Sequence, residues 1–249
     1  MNGSEATERP ELRDMVQRLT AALGARLDSV VLYGSAARGD FQKRSSDLNL
    51  AILVDVLEPR VLEALSAPIA FWTRKGHPVP ILLTRALLAD SLDVFPIEAL
   101  DIRAHHKVLH GPDPFAAVVV RVEPLRLQCE REFREKLMRL REGYLVAHGS
   151  NGALMRLLVG SFTTFGALFR AGLTLVGETP PAETGAVAAA FSARAGLDPA
   201  PFDAIDRLRR GEAAASMDMK TLFSAYYEQL TRAAGVLDAF RPSEGKEIR

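Results

Sequence analysis

The chain has 249 residues, 48% of them hydrophobic, and 31 Lys plus Arg set against 31 Asp plus Glu. That is enough apolar chain for one large globular domain or two modest ones. A formal net charge of zero supplies no bulk field for nucleic acid or an anionic bilayer, so an anion site has to be built locally.

The polar N-terminal stretch MNGSEATERPELRD lacks the apolar centre of a signal peptide. No later run reads as long and uncharged enough to span a bilayer, so a cytoplasmic protein without membrane attachment is expected. Apolar residues at helical spacing predict a helix over 11–27, with Pro10 in its first turn. Two short apolar runs, SVVLY at 29–33 and LNLAILV at 48–54, read as buried strands bracketing a polar, basic loop. A helix is expected over 59–75. PVPILLT at 78–84 reads as a third strand that Pro78 and Pro80 push towards a sheet edge. A helix over 85–92 follows, then short strands at 96–102 (PIEALDI) and 107–110 (KVLH), closed by the turn GPDP at 111–114.

From Pro124 onward the period is helical and no strand signal returns. Helices are expected over 125–146, 154–175, 183–195, 201–210 and 219–240, the first with Glu and Arg interleaved on its outer face. The expected fold class is α+β: a mixed sheet with helices over 1–118, an all-α helical bundle over 119–241, and a disordered tail over 242–249. Cys129, the single cysteine, excludes an internal disulfide and fits a reducing compartment; its acidic neighbours in LQCEREF disfavour a thiolate nucleophile. Phe71, Trp72, Phe162, Phe165 and Phe169 fall at helical spacing and read as core. His105, His106 and His110 have no Cys or acid at zinc-ligand spacing and read as a turn between strands. Arg207, Arg209 and Arg210 read as a solvated helix end.

The chemistry concentrates in VVLYGSAARGDFQKRSSDLNLAILV, residues 30–54. Gly34 follows a buried strand, where the lack of a Cβ lets the backbone approach a phosphate, and Ser35 adds a hydroxyl donor. Asp47 comes twelve residues after Ser35 at the head of the next strand. Adjacent strands would bring the turn and the acid to one sheet edge, where a carboxylate could ligate a divalent cation bridging phosphate oxygens. Asp47 and Asn49 are two apart, so on a strand both side chains point to one face.

In this order, GSAARGDFQKRSSDLNL resembles the signature of the DNA polymerase beta-like nucleotidyltransferase superfamily: Gly-Ser, a basic loop, then Asp-x-Asp. Gly34, Ser35 and Asp47 match, and Arg38, Gly39 and Asp40 fit the ARGD loop of its small bacterial members. The resemblance implies that Gly34 and Ser35 hold a triphosphate, that Arg38 offsets phosphate charge, and that the acids bind Mg²⁺ or Mn²⁺ for in-line attack on the α-phosphate of ATP. The second acid departs from the pattern, because Asn49 stands where Asp is expected. The superfamily also takes a third carboxylate from a later strand; PVPILLT has none, and Glu98 or Asp101 in PIEALDI are the candidates, with Glu98 first as general base. The helical half is similar in layout to the C-terminal domains of small bacterial nucleotidyltransferases, which complete an acceptor site, and a bundle of this kind is compatible with a homodimer.

The leading expectation is therefore transfer of a nucleotidyl group, adenylyl first, from a nucleoside triphosphate to a hydroxyl of a small molecule or protein. The missing acid favours an alternative: a catalytically degenerate nucleotidyltransferase fold serving as a binding or regulatory module, for instance the antitoxin partner of a HEPN protein. Arg141 and His148 have the Arg-to-His spacing of HEPN ribonucleases, which arises readily on any long charged helix.

Overall fold

A computed structural model describes residues 9–38, 48–212, 218–241 and 246–248, with Ser35 and Arg38 described through their backbone alone. The chain divides into two compact units, one ending at Val120 and the other running from Arg121 to Ile248.

The first unit opens with helix α1, Pro10–Leu23, whose buried Leu12, Met15, Leu19 and Leu23 recur every three to four residues. Gly24, at φ 55°, stops it four residues earlier than expected and frees Leu27 to start strand β1, Leu27–Tyr33. The four-residue helix α2, Ser35–Arg38, follows, then strand β2, Asn49–Val54, and helix α3, Pro59–Arg74. Strand β3, Ile81–Leu83, is shorter than PVPILLT suggests and lies at a sheet edge, as the prolines require. Helices α4, Arg85–Asp90, and α5, Pro96–Ala104, precede strand β4, His106–His110.

The sheet order is β3-β2-β1-β4. β1 is antiparallel to β2 and β4, while β2 is parallel to β3, so the sheet is mixed. Val30, Leu32, Leu50, Ile52 and Val54 form one core cluster with the buried residues of α1 and with Val61, Leu65 and Trp72 of α3. Val31, Ala51 and Leu53, of opposite parity, are also fully buried, which explains why both central strands read as continuous apolar runs. Each buried Leu, Ile or Val stabilises by about 1.5–3 kcal/mol.

Within the first unit, two expected elements are corrected. The stretch 96–102 is helical, not a strand. Pro96 occupies the first turn, where its missing N–H leaves no bond unmade, and Pro96, Ala99 and Ile102 bury one face at three-residue spacing. The histidines do not make a turn: His106 and His110 are the two ends of β4. Gly111 makes the turn, at φ 74°, where a Cβ would stand 1.9 Å from Asp28 O, so only glycine fits. Asp113 then accepts the Phe115 N–H at 2.8 Å and meets His106 Nε2 at 3.0 Å.

The second unit is built on helices α6, Val122–Ala147; α7, Asn151–Leu175; α8, Thr184–Ala195; α9, Ala200–Arg209; and α10, Met219–Ala239. A ring cluster fills it. Phe133 lies 4.9 Å from Phe165, Phe169 lies 4.6 Å from Phe191 and 5.4 Å from Phe202, and Phe202 lies 5.6 Å from Tyr226. Burial holds the Tyr226 phenol far above its ordinary pKa, against a smaller lowering by its hydrogen bond from Ser161.

By length and composition α7 is apolar enough to cross a membrane, which corrects the expectation that no run qualifies. It packs against α6, α8, α9 and α10, and Leu154, Leu158, Phe162, Phe165 and Phe169 bury its apolar side in the unit's own core. The tail expectation also changes: Glu247–Ile248 form strand β6, paired with β5, Val120–Arg121, and the Val122 N–H donates to Lys246 O at 2.9 Å.

Candidate functional site

β1 and β2 are registered so that Tyr33 pairs with Asn49. The chain turns away at Gly34, which is buried and holds φ 79°, a backbone state that costs a side chain about 1–2 kcal/mol. The Ala37 N–H closes the turn on Gly34 O at 3.0 Å. A Cβ on Gly34 would stand 3.0 Å from Asn49 Nδ2. The carboxamide of Asn49 thus sits in the notch that glycine leaves, and the turn after β1 and the head of β2 meet at one edge of the sheet. Asn49 shares parity with Ala51 and Leu53, on the opposite side of β2 from the residues packed under α1 and α3.

Asp47, with Gly39 and Asp40, lies outside the described residues, and so do the side chains of Ser35 and Arg38, whose backbone forms α2. Asn49 is half-buried and, among the described residues, its amide has no hydrogen-bond partner. Glu98 is exposed in the first turn of α5 and Asp101 is half-buried one turn on, so neither is the strand acid that the sequence suggested. Tyr33, half-buried beside the site, has its phenol pKa raised by burial. No three His, Cys, Asp or Glu side chains converge as a metal site among the described residues. At position 49 the chain offers one neutral amide, which does not fit a centre holding two divalent cations about 3.5–4 Å apart, where anionic ligands must offset their repulsion.

The second unit carries a cleft of about 810 Å³ between α8 and α9, lined among others by Glu183, Asp203, Asp206 and Arg207. Sequence reasoning found its arginines but missed Asp206, which is 8% exposed and paired to Arg209 Nη2 at 2.8 Å and Arg210 Nε at 3.3 Å. Asp206 also fills the space over Gly185, where a Cβ would stand 2.5 Å from its Oδ2. Of the three arginines, Arg209 and Arg210 are thus an ionic tie to Asp206 rather than a purely solvated end. Arg141 donates from Nε to Tyr227 OH at 2.6 Å, while His148 lies past the end of α6 in a left-handed C-cap at φ 46°. The pair therefore does not share one helical face.

No family model matches the chain, and no curated protein matches it. Among solved structures it is similar to a crystal structure of spectinomycin adenyltransferase AAD(9) from Enterococcus faecialis with ATP and spectinomycin, at TM-score 0.54 and 12% identity, over 92% of this chain and 98% of that one. At that identity the likeness shows the fold: an α+β nucleotidyltransferase fold followed by a helical domain.

Proposed function

We propose that the protein binds a nucleoside triphosphate, ATP first, with one divalent cation, Mg²⁺ or Mn²⁺, and transfers the adenylyl group to a hydroxyl of a small molecule or protein. The observation that carries this is the meeting of Gly34 and Asn49 at one sheet edge, the arrangement that the Gly-Ser and Asp-x-Asn segments need. It is supported by the fold shared with a solved adenyltransferase whose structure contains ATP and spectinomycin. Gly34 and Ser35 hold phosphates, Arg38 offsets their charge, and Asp47 is the anionic ligand for the cation, which would withdraw charge from the phosphates. The acceptor oxygen bonds to the α-phosphorus as the bond to the bridging oxygen breaks, and pyrophosphate leaves. The hydroxyl proton passes to a base, for which Glu98 is the candidate. The reading places the protein in the cytoplasm, where ATP is available and Cys129 stays reduced.

Asn49 favours a second reading, a nucleotidyltransferase fold without turnover acting as a binding or regulatory module, for instance beside a HEPN protein. Incubation with ATP labelled at the α-phosphate separates the two, offering hydroxylated small molecules and the protein itself as acceptors. Label transfer by the native chain supports the enzyme. Transfer by Asn49→Asp alone supports a pocket silenced at one ligand, and silence from both favours the module.

A further inference from the structure

We infer that Asn49 contacts the nucleotide directly, its amide N–H donating to a phosphate oxygen where a carboxylate would instead recruit a second cation. This rests on the nucleotide reading above. It follows from three features of the edge where β1 and β2 meet. The Asn49 carboxamide faces the Gly34 notch, its Nδ2 3.0 Å from where a Cβ would be, so a side chain that carries two N–H donors borders the turn. The amide is half-buried, and no hydrogen bond joins it to another described residue. Position 49 is neutral, and a neutral group beside the turn does not repel phosphate oxygens.

A carboxylate in the same place would be acceptor-only and negative, and could share space with a triphosphate only through an intervening cation. An amide reverses both properties. It removes the charge that a second cation needs and supplies an N–H that binds the oxygen without one. The chain therefore has a one-cation site with nucleotide affinity that persists when cations are withdrawn.

The test uses the full-length chain with α,β-methylene-ATP, whose bridge cannot be cleaved at the α-phosphate. Mn²⁺ bound per nucleotide is counted by electron paramagnetic resonance, and analogue affinity is measured calorimetrically in EDTA. The native chain is expected to bind one Mn²⁺ per analogue and to keep measurable affinity in EDTA. Asn49→Asp is expected to bind two Mn²⁺ and to lose about tenfold or more of the EDTA affinity. Asn49→Leu, which keeps the size without donor or charge, is expected to lose the same affinity and gain no second Mn²⁺; circular dichroism checks that both variants fold. Two Mn²⁺ on the native chain, or EDTA affinity unchanged in Asn49→Asp and Asn49→Leu, would overturn the inference while leaving nucleotide binding standing. No analogue binding by the native chain, with Mn²⁺ or in EDTA, would overturn the nucleotide reading and the inference with it.

Discussion

Gly34 meets two constraints together, a left-handed backbone at φ 79° and the Asn49 amide against its α-carbon. Gly34→Ala is expected to lower stability by about 1–2 kcal/mol from the backbone alone and also to displace Asn49, weakening ATP binding about tenfold. Gly177→Ala is the control, because Gly177 has φ 87° and nothing within 4 Å of an added Cβ. It should show a similar shift in denaturant midpoint with ATP affinity unchanged, and equal affinity losses in both variants would refute a specific role for the Gly34 contact. Gly34 was legible through its spacing, because Asp47 follows Ser35 by twelve residues at the head of the next strand, and Asn49 because parity on a strand is fixed by spacing. Asp206 was not legible. The i, i+3 and i, i+4 spacing to Arg209 and Arg210 is local to α9, but the burial of Asp206 depends on Gly185, brought over it by the packing of α8 on α9, and no local pattern announces that.

Strand β4 and the segment after it are tied by Asp113, between the Phe115 N–H and His106. Desolvation raises the Asp113 pKa, but the Phe115 N–H and His106 outweigh it and hold the carboxyl below its ordinary value. The linked stability is full above the unfolded-state pKa and is lost as pH falls through the lower folded-state value, so the window lies below about pH 4. Asp113→Asn should flatten the acid limb of a plot of Tm against pH, and an unchanged limb would count against the tie. In the helical unit, Phe169 touches Phe133, Phe191 and Phe202, and Phe169→Ala should cost about 3–5 kcal/mol in chemical denaturation. The aromatic spacing that defines this core was readable from the sequence. Helix α5 was not, because PIEALDI is short enough to suit either period and the first-turn role of Pro96 decides the matter only once the helix is seen.

The two units differ in construction. The first supplies a mixed sheet whose β1–β2 edge positions Gly34 and Asn49, and the second supplies a helical bundle with an aromatic centre and a charged cleft. The change from alternating strands and helices to helices alone was visible because hydrophobic period is a local property. The role of α7 was not, since a core helix buried by four neighbours can be as apolar as a membrane span. The proposed function depends on a triphosphate held at the turn after β1 through one cation on Asp47. The direct test is calorimetric titration of ATP into the native chain and into Asp47→Ala, each with and without Mg²⁺. Mg²⁺ should raise ATP affinity about tenfold or more in the native chain and not at all in Asp47→Ala, whereas an equal gain in both, or no ATP binding by the native chain, would refute the proposed site.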